Sequence, residues 1–232
     1  MALSREHHSL YLFQEALRQG APLKDGRWAF LGNQRLRGCP RENPDPALWR
    51  EWWGFDFPDP PIKLAKSKLH SVKPWLEYFG VKSCVMWDYN GKDSSIQHDL
   101  NFPVENPAYL VGEKNKYLGQ FDVVCNFGTS EHVIPDQMPV FQTMHDLCDV
   151  GGLMLHAVPS EGCNRHGHSR YPLDWFHDFA DSQEYQIVVA DLRTVSHNRG
   201  PGPHAYAVCM FRKLRDQPFR IDYWAEPFPA ER

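Results

Sequence analysis

Short apolar runs alternate with segments of helical periodicity along this chain, and this alternation constrains its fold more than any other feature. Most runs end abruptly at a glycine, a proline or a polar residue, as buried strands do. The helical segments have apolar residues on one face, so each can cover one side of a sheet. The predicted strands are 28–31, 82–88, 95–100, 121–128, 153–159, 185–193 and 204–214, and the predicted helices are 4–20, 63–79, 135–152 and 172–180.

The order of these elements predicts the fold class. Apolar strands that alternate with helices form a mostly parallel sheet covered on both faces, which here is a three-layer α/β sandwich with seven strands. The last two strands are joined by the Gly/Pro-rich segment 194–203 and no helix, so we expect an antiparallel C-terminal hairpin. We expect a single domain over residues 1–232.

Two segments lie outside this alternating pattern. The N-terminal helix, residues 4–20, has Ser4 as its candidate cap. Residues 38–62 are rich in tryptophan and proline and are interpreted as an insertion that carries one short helix. The aromatic residues of the insertion either pack against the edge of the sheet or form a lid over a site.

The composition and charge exclude several classes of function. The 232 residues carry a formal net charge of -4 and no long basic run, so there is no electrostatic case for nucleic acid. No apolar run approaches the roughly 20 residues of a membrane span, and nothing at the N-terminus has the pattern of a signal peptide. The six cysteines are widely spaced without a CxxC pair, which is typical of a reducing compartment. We therefore expect a cytoplasmic protein that binds neither nucleic acid nor membrane.

Polar and small residues follow the predicted strands where a ligand of a parallel sheet would lie. Gly32, Asp88, Asp99 and the segment 126–132 all come directly after strands, and ligands of such sheets bind beyond the carboxyl ends of the strands. An acid at the end of the second strand, here Asp88, can accept from the hydroxyls of a ribose. Glycine allows the backbone to approach a ligand closely. The pattern therefore predicts a nucleoside site, with Asp99 and Leu100 beside the base.

Four segments in order resemble the motifs of class I S-adenosylmethionine-dependent methyltransferases: "AFLGNQ", "VMWDYNGKDSSIQHDLNFP", "FDVVCNFGTSEHV" and "VGGLMLHAVP". They correspond to the family's first-strand glycine loop, second-strand acid with third-strand Asp-Leu, fourth-strand turn, and fifth strand after a Gly-Gly pair. "NRHGHSRYPLDWFHDF" resembles the continuation of one subgroup. The resemblance covers roughly residues 27–215 and implies a Rossmann-like fold with S-adenosylmethionine as the cofactor. It implies contacts of the cofactor with Gly32, Asn33, Gln34, Asp88, Asp99, Leu100, Asn126 and Gly128.

The resemblance also implies where the methyl acceptor binds. His166 is the candidate catalytic base, because it follows the fifth strand and a neutral imidazole can take a proton from the acceptor. Glu131, His132, His168 and Tyr171 are candidate substrate contacts. Glu131 has an alternative role, because a carboxylate near the start of the next helix is stabilised by exposed amides. No metal is expected, since the histidines show no HxxxH pattern and His166-Gly-His168 alone is a weak signal.

These observations favour a methyltransferase that acts on oxygen or nitrogen of a small molecule, as a monomer or homodimer. The first loop departs from the family pattern, because Gly32 is its only glycine and Asp88 lies 56 positions further on, where a standard dinucleotide fold has about 20. This departure motivates the alternative of a non-catalytic or repurposed member of the fold that binds a nucleoside or a protein partner. A nicotinamide-dependent oxidoreductase is disfavoured by the missing GxGxxG.

Overall fold

The computed structural model describes residues 2–5, 8–40, 43, 45–65, 71–92, 94–104, 116–163, 166–195 and 204–221. The strands are β1 (Ala2–Ser4), β2 (Arg27–Leu31), β3 (Arg35–Arg37), β4 (Ser83–Asp88), β5 (Ile96–Gln97), β6 (Phe121–Phe127), β7 (Cys148–Pro159), β8 (Gln186–Val195) and β9 (His204–Arg212). The helices are α1 (Ser9–Arg18), α2 (Pro46–Trp53), α3 (Ile62–Ala65), α4 (Lys73–Tyr78), α5 (Met138–Leu147) and α6 (Leu173–Ser182). A 3-10 turn, Ser130–His132, follows β6. Within the described residues, no helix has the length and apolarity needed to cross a bilayer.

Seven strands form the main sheet in the order β5-β4-β2-β6-β7-β9-β8. The pairs from β5 to β7 are parallel, and β9 is antiparallel to both β7 and β8. This is the doubly wound order of an open α/β sheet, in which β9 lies antiparallel between β7 and β8. The prediction of a mostly parallel seven-stranded sheet with a C-terminal antiparallel hairpin is confirmed. The connection 196–203 lies outside the described residues.

Alternating residues of the strands face two separate apolar layers, which makes the fold a three-layer sandwich. On one face, Trp28 and Phe30 of β2 pack with the apolar sides of α1, α2 and α4. On the other face, Ala29 and Leu31 of the same strand pack with α5 and α6. A strand presents successive side chains to opposite faces, so a sheet covered on both sides needs apolar residues at every position.

The Trp/Pro-rich insertion, residues 38–62, contributes to the first of these layers. Its short helix α2 begins after Asp45, whose carboxylate accepts from the N–H of Ala47 at 2.9 Å. Trp49 and Trp53 of this helix are buried, and Trp49 stacks on Trp75 of α4 at 4.3 Å between ring centroids. Of the two roles predicted for the insertion, these contacts favour packing.

The helix predicted over 135–152 ends earlier, and its predicted stop at Gly151-Gly152 is wrong. Helix α5 ends at Leu147, and both glycines lie inside β7. The pairing of β6 with β7 shifts register here. A Cβ on Gly152 would come within 2.8 Å of Cys148 Sγ and 3.0 Å of the Phe121 carbonyl oxygen. The glycine therefore serves a crowded strand irregularity rather than a helix terminus.

Three other predicted boundaries also change. Ser4 does not cap α1 but lies in β1, where its N–H donates to the hydroxyl of Ser9 at 2.8 Å. A single helix over 63–79 is wrong, because Ser71 forms a bridge with Arg35 and α4 begins only at Lys73. Proline at the start of α4 suits a first helical turn. The strand predicted over 95–100 contracts to Ile96–Gln97.

Candidate functional site at the carboxyl edge of the sheet

The order of the strands reverses between β2 and β6, and this switch point is where the predicted site residues gather. Strand β4 lies on one side of β2 and β6 on the other, all parallel, so the loops that follow them share one edge. Crevices at such a point are the usual ligand sites of open α/β sheets.

The loop after β2 is hydrogen-bonded to the end of β4. Gly32 has a φ of 79° and donates its N–H to the carbonyl of Trp87 at 2.6 Å. The next N–H, that of Asn33, donates to the Asp88 carboxylate at 2.8 Å. The second oxygen of Asp88 accepts from the N–H of Asn90 at 3.1 Å. The side chain of Asp88 thus connects two loops at the switch point and is only 8% exposed.

The same loop is also hydrogen-bonded to the end of β6 and to the turn that follows it. The hydroxyl of Thr129, which follows β6, donates to the carbonyl of Leu31 at 2.5 Å, and the side-chain N–H of Gln34 donates to the carbonyl of Phe127 at 3.4 Å. Gln34 is fully buried, and its Oε1 has no hydrogen-bond partner among the described residues. A buried acceptor of this kind is costly unless a partner satisfies it.

Asp99 and Leu100 lie in the turn that follows β5. The carboxylate of Asp99 accepts from the backbone and side-chain N–H groups of Asn101, at 3.0 and 2.9 Å, so it stabilises the turn. Leu100 is buried in the apolar layer that contains α5. The N–H of His98 donates to the carbonyl of Asp88 at 3.1 Å, which holds this turn beside the end of β4.

Asn126, a predicted cofactor contact, is fully buried and holds the turn that follows β6. Its Oδ1 accepts from the N–H of Ser130 at 3.1 Å, and its Nδ2 donates to the Ser130 hydroxyl at 2.9 Å. The same Nδ2 lies 3.4 Å from Nδ1 of His156. Both of its side-chain polar atoms therefore have partners within the protein. Gly128 has a φ of 70° and donates to the carbonyl of Ala157 at 3.0 Å.

Glu131, His132 and His166 come together in a cluster that we call the Glu-His-His cluster. Oε1 of Glu131 lies 3.4 Å from Nε2 of His166 and 3.7 Å from Nε2 of His132. Glu131 is fully buried, whereas the two histidine side chains are 36% and 47% exposed. Burial lowers the pKa of His132, and the charge of Glu131 opposes that shift only in part. The imidazole of His132 is therefore neutral at neutral pH.

The loop after β7 closes on this cluster. His168 donates its backbone N–H to the carbonyl of Glu131 at 2.6 Å, while its side chain is exposed. Gly167 between the two histidines has a φ of 72°, and a Cβ there would come within 2.5 Å of Glu131 Cγ. Tyr171 is buried in the apolar layer beside Phe141, and burial raises the pKa of its hydroxyl.

A cavity of about 580 Å³ lies at the opposite edge of the sheet, away from all these residues. His145 and Lys213 line it. Nε2 of His145 lies 2.6 Å from the carbonyl of Gln217, which can only accept, so this nitrogen carries the proton and Nδ1 accepts from the hydroxyl of Tyr185. Burial and then the charge of Lys213 lower the pKa of His145 to about 4. These groups stabilise the packing of α5 on the sheet.

No protein-family model and no curated protein matches this sequence. Similar solved structures include M. jannaschii TYW2 in complex with AdoMet, with a TM-score of 0.38, 9% identity, and 87% of this chain and 76% of that chain covered. A structure described as "Conversion of a Disulfide Bond into a Thioacetal Group during Echinomycin Biosynthesis" has a TM-score of 0.38 and 13% identity, with coverage of 88% and 81%. The MccD protein has a TM-score of 0.41 and 11% identity, with coverage of 88% and 96%. At these values the similarity carries no argument about cofactor or substrate.

Proposed function

We propose that this chain is an S-adenosylmethionine-dependent methyltransferase that acts on oxygen or nitrogen of a small-molecule acceptor. The observation that carries the proposal is the buried acid at the end of β4, hydrogen-bonded to the loop after β2 at the switch point of the sheet. Nucleoside ligands bind at this place in open α/β sheets. The ordered motifs in the sequence favour S-adenosylmethionine among such ligands.

Asp88 and Gln34, on the cofactor side, have hydrogen-bond acceptor positions left for the hydroxyls of a ribose. An ionised carboxylate offers about four lone-pair sites, and the amides of Asn33 and Asn90 use two of those on Asp88. The Oε1 of Gln34 adds a buried acceptor without a partner among the described residues. We propose that Gly32, Asn33, Gln34 and Asp88 contact the cofactor, with Asp99 and Leu100 further along the same edge. Bound there, the cofactor supplies an electrophilic methyl group on a sulfonium.

The acceptor side of the proposed site is the Glu-His-His cluster with the exposed His168. It lies beyond β6 and β7, at the same edge of the sheet as Asp88. Methyl transfer is an in-line displacement, so the main task of these side chains is to hold the acceptor in line with the methyl group. The acidic net charge favours a small molecule over a nucleic acid as the acceptor.

Calorimetric titration with S-adenosylmethionine, its demethylated product and NAD tests the proposal. We expect binding of the first two and none of NAD. Asp88→Asn should weaken binding by about 1–3 kcal/mol, because an acceptor for a ribose hydroxyl becomes an amide. Asp178→Asn, at an exposed position of α6, is the matched control and should bind normally. Equal affinity of Asp88→Asn and the natural protein would contradict the ribose role.

One observation favours the second candidate, a fold of this type that no longer catalyses. Both oxygens of Asp88 already accept from backbone amides of the protein itself. A folded sample that binds neither S-adenosylmethionine nor its product would support this candidate and reject methyl transfer.

A further inference from the structure

The Glu-His-His cluster has the composition and spacing of a metal site. One ligand atom from each residue lies within 4.8 Å of the other two. Around a tetrahedral ion with bonds of about 2.0–2.2 Å, neighbouring ligand atoms are about 3.4 Å apart. The distances from Glu131 Oε1 to Nε2 of His166 and of His132, 3.4 and 3.7 Å, already fit this arrangement. The ligand nitrogens of the two partly exposed imidazoles lie within 4.8 Å of each other.

The environment of Glu131 is an independent observation that points to a cation. The side chain is fully buried, and neither carboxylate oxygen has a hydrogen-bond partner among the described residues. The imidazole nitrogens lie at or beyond the outer limit of a good hydrogen bond, which is about 3.2 Å. Burying a carboxylate costs several kcal/mol unless a charge or hydrogen bonds compensate it. A metal ion would supply that compensation.

We propose that Glu131, His132 and His166 bind one divalent first-row transition metal ion. Two imidazoles and one carboxylate are a ligand set of zinc and iron enzymes, in which the remaining coordination positions are open. Magnesium and calcium prefer oxygen ligands throughout, so this set disfavours them. Because His132 and His166 are partly exposed, the open positions face the solvent side of the site.

The backbone holds the ligands before any ion binds. Asn126 fixes the turn that carries Glu131 and His132 through its two hydrogen bonds to Ser130. The loop with His166 is attached to that turn by the N–H of His168, which donates to the Glu131 carbonyl at 2.6 Å. The backbone of this ligand set therefore loses little conformational entropy on binding.

A bound ion would change the role of His166 in the proposed reaction. A metal lowers the pKa of a coordinated hydroxyl or water, so a metal-bound acceptor needs no imidazole base. His166 would then position the ion and would not take the proton. This consequence rests on the proposed methyl transfer, whereas the binding of the metal does not.

The test is titration of chelator-treated, untagged full-length protein with Zn²⁺ by calorimetry and with Co²⁺ by absorption spectroscopy, without S-adenosylmethionine. We expect one ion per chain, weak visible bands of four- or five-coordinate Co²⁺, and no thiolate charge-transfer band. Millimolar Mg²⁺ should not compete. Independent titration with S-adenosylmethionine in the presence of chelator separates failure of the metal site from failure of the proposed function.

The ligand variants decide between a built site and adventitious binding. His132→Ala and His166→Ala should each weaken Zn²⁺ binding by more than about tenfold. His177→Ala, which removes an exposed histidine of α6, should leave it unchanged. Glu131→Gln keeps the shape of the buried side chain, so it separates loss of the metal from loss of the fold, and thermal melting of the chelator-treated variants checks folding. Absence of binding, or binding that both histidine variants retain, would overturn the proposal and leave an adventitious ion only.

Discussion

Asp88 and Asn33 are joined by a hydrogen bond of 2.8 Å, in which the carboxylate that ends β4 accepts from the backbone N–H of the loop after β2. One side chain thereby fixes the spacing of two strand ends at the switch point. A carboxylate held by backbone amides has a set orientation before a ligand arrives, which lowers the entropic cost of binding. The same contact gives Asp88 a structural role that can be measured without any ligand.

Asp88→Ala should lower the free energy of unfolding by about 1–3 kcal/mol in the absence of ligand, because the amide of Asn33 loses its acceptor. Urea denaturation measures this change. Asp99→Ala is the comparison, since Asp99 serves a local turn with Asn101 and should cost less than about 1 kcal/mol. Equal stability of Asp88→Ala and the natural protein would mean that this contact contributes nothing to the fold.

Gly167→Ala tests the closure of the loop after β7 on Glu131. A Cβ at this position would meet Glu131 Cγ at 2.5 Å and the Glu131 carbonyl oxygen at 2.8 Å, and the φ of 72° adds strain. We expect a loss of about 2–4 kcal/mol in the free energy of unfolding.

Gly119→Ala is the matched control for that variant, because its φ is 59° and nothing lies within 4 Å of a Cβ there. Its free energy of unfolding should fall by only about 1–2 kcal/mol, the cost of placing a residue with a Cβ in a left-handed backbone conformation. If urea denaturation shows the same loss in the free energy of unfolding for both variants, the close approach of Gly167 to Glu131 contributes nothing to stability.

The site was predictable from sequence to the extent that it depends on strand ends. Asp88 and the segment 126–132 follow strands of one parallel sheet, and the carboxyl ends of parallel strands share an edge. The contact between Glu131 and His166 was not predictable in this way. The two residues are 35 positions apart on separate loops, and their meeting depends on tertiary closure around Gly167, which leaves no periodicity in the sequence.

The helix boundaries show a second limit of sequence patterns. Paired glycines often end helices, yet Gly151-Gly152 lie in β7 because the strand pairs with β6 through an irregular register. Polar residues after a strand are similarly ambiguous. Asn126 is a residue type that often lines pockets, yet its side chain is buried and hydrogen-bonded to Ser130. Composition indicates which groups are available, whereas tertiary contacts decide which of them face a ligand.

Buried neutral histidines should make the protein sensitive to acid. Burial lowers the pKa of His156 to about 3, while the histidine of the unfolded chain titrates near 6.5. The unfolded state therefore binds more protons, and the stability that is fully present above pH 6.5 falls progressively toward pH 3. At pH 5 the loss from His156 is about 2 kcal/mol, and His145, with a pKa of about 4, adds a similar amount.

His156→Phe isolates one of these contributions. The ring of His156 stacks on Phe141 at 5.3 Å, so phenylalanine preserves the packing and removes the titratable group. Urea denaturation between pH 7 and pH 4 should show a shallower loss of stability for this variant than for the natural protein. If the free energy of unfolding falls equally with pH in both proteins, His156 does not contribute to the acid sensitivity.

The aromatic insertion should act through stability and not as a lid. Trp53 is fully buried, with ring centroids 5.3 Å from Phe13 of α1 and 5.8 Å from Trp75 of α4. Trp53→Ala should cost about 3–5 kcal/mol in the free energy of unfolding, because it leaves a large cavity. Trp53→Phe should cost less, since the indole N–H has no hydrogen-bond partner among the described residues.

Leu48→Ala, at a 37% exposed position of the same helix, is the matched control and should cost less than about 1 kcal/mol. A lid residue would behave in the opposite way, because lids are drawn from segments of low local stability. Trp53→Ala would then leave the unfolding transition in place and change only ligand affinity or turnover. Trp53 contacts rings from two other helices of the same layer. We therefore expect Trp53→Ala to unfold at a lower urea concentration. The affinity of the remaining folded protein for S-adenosylmethionine should stay the same.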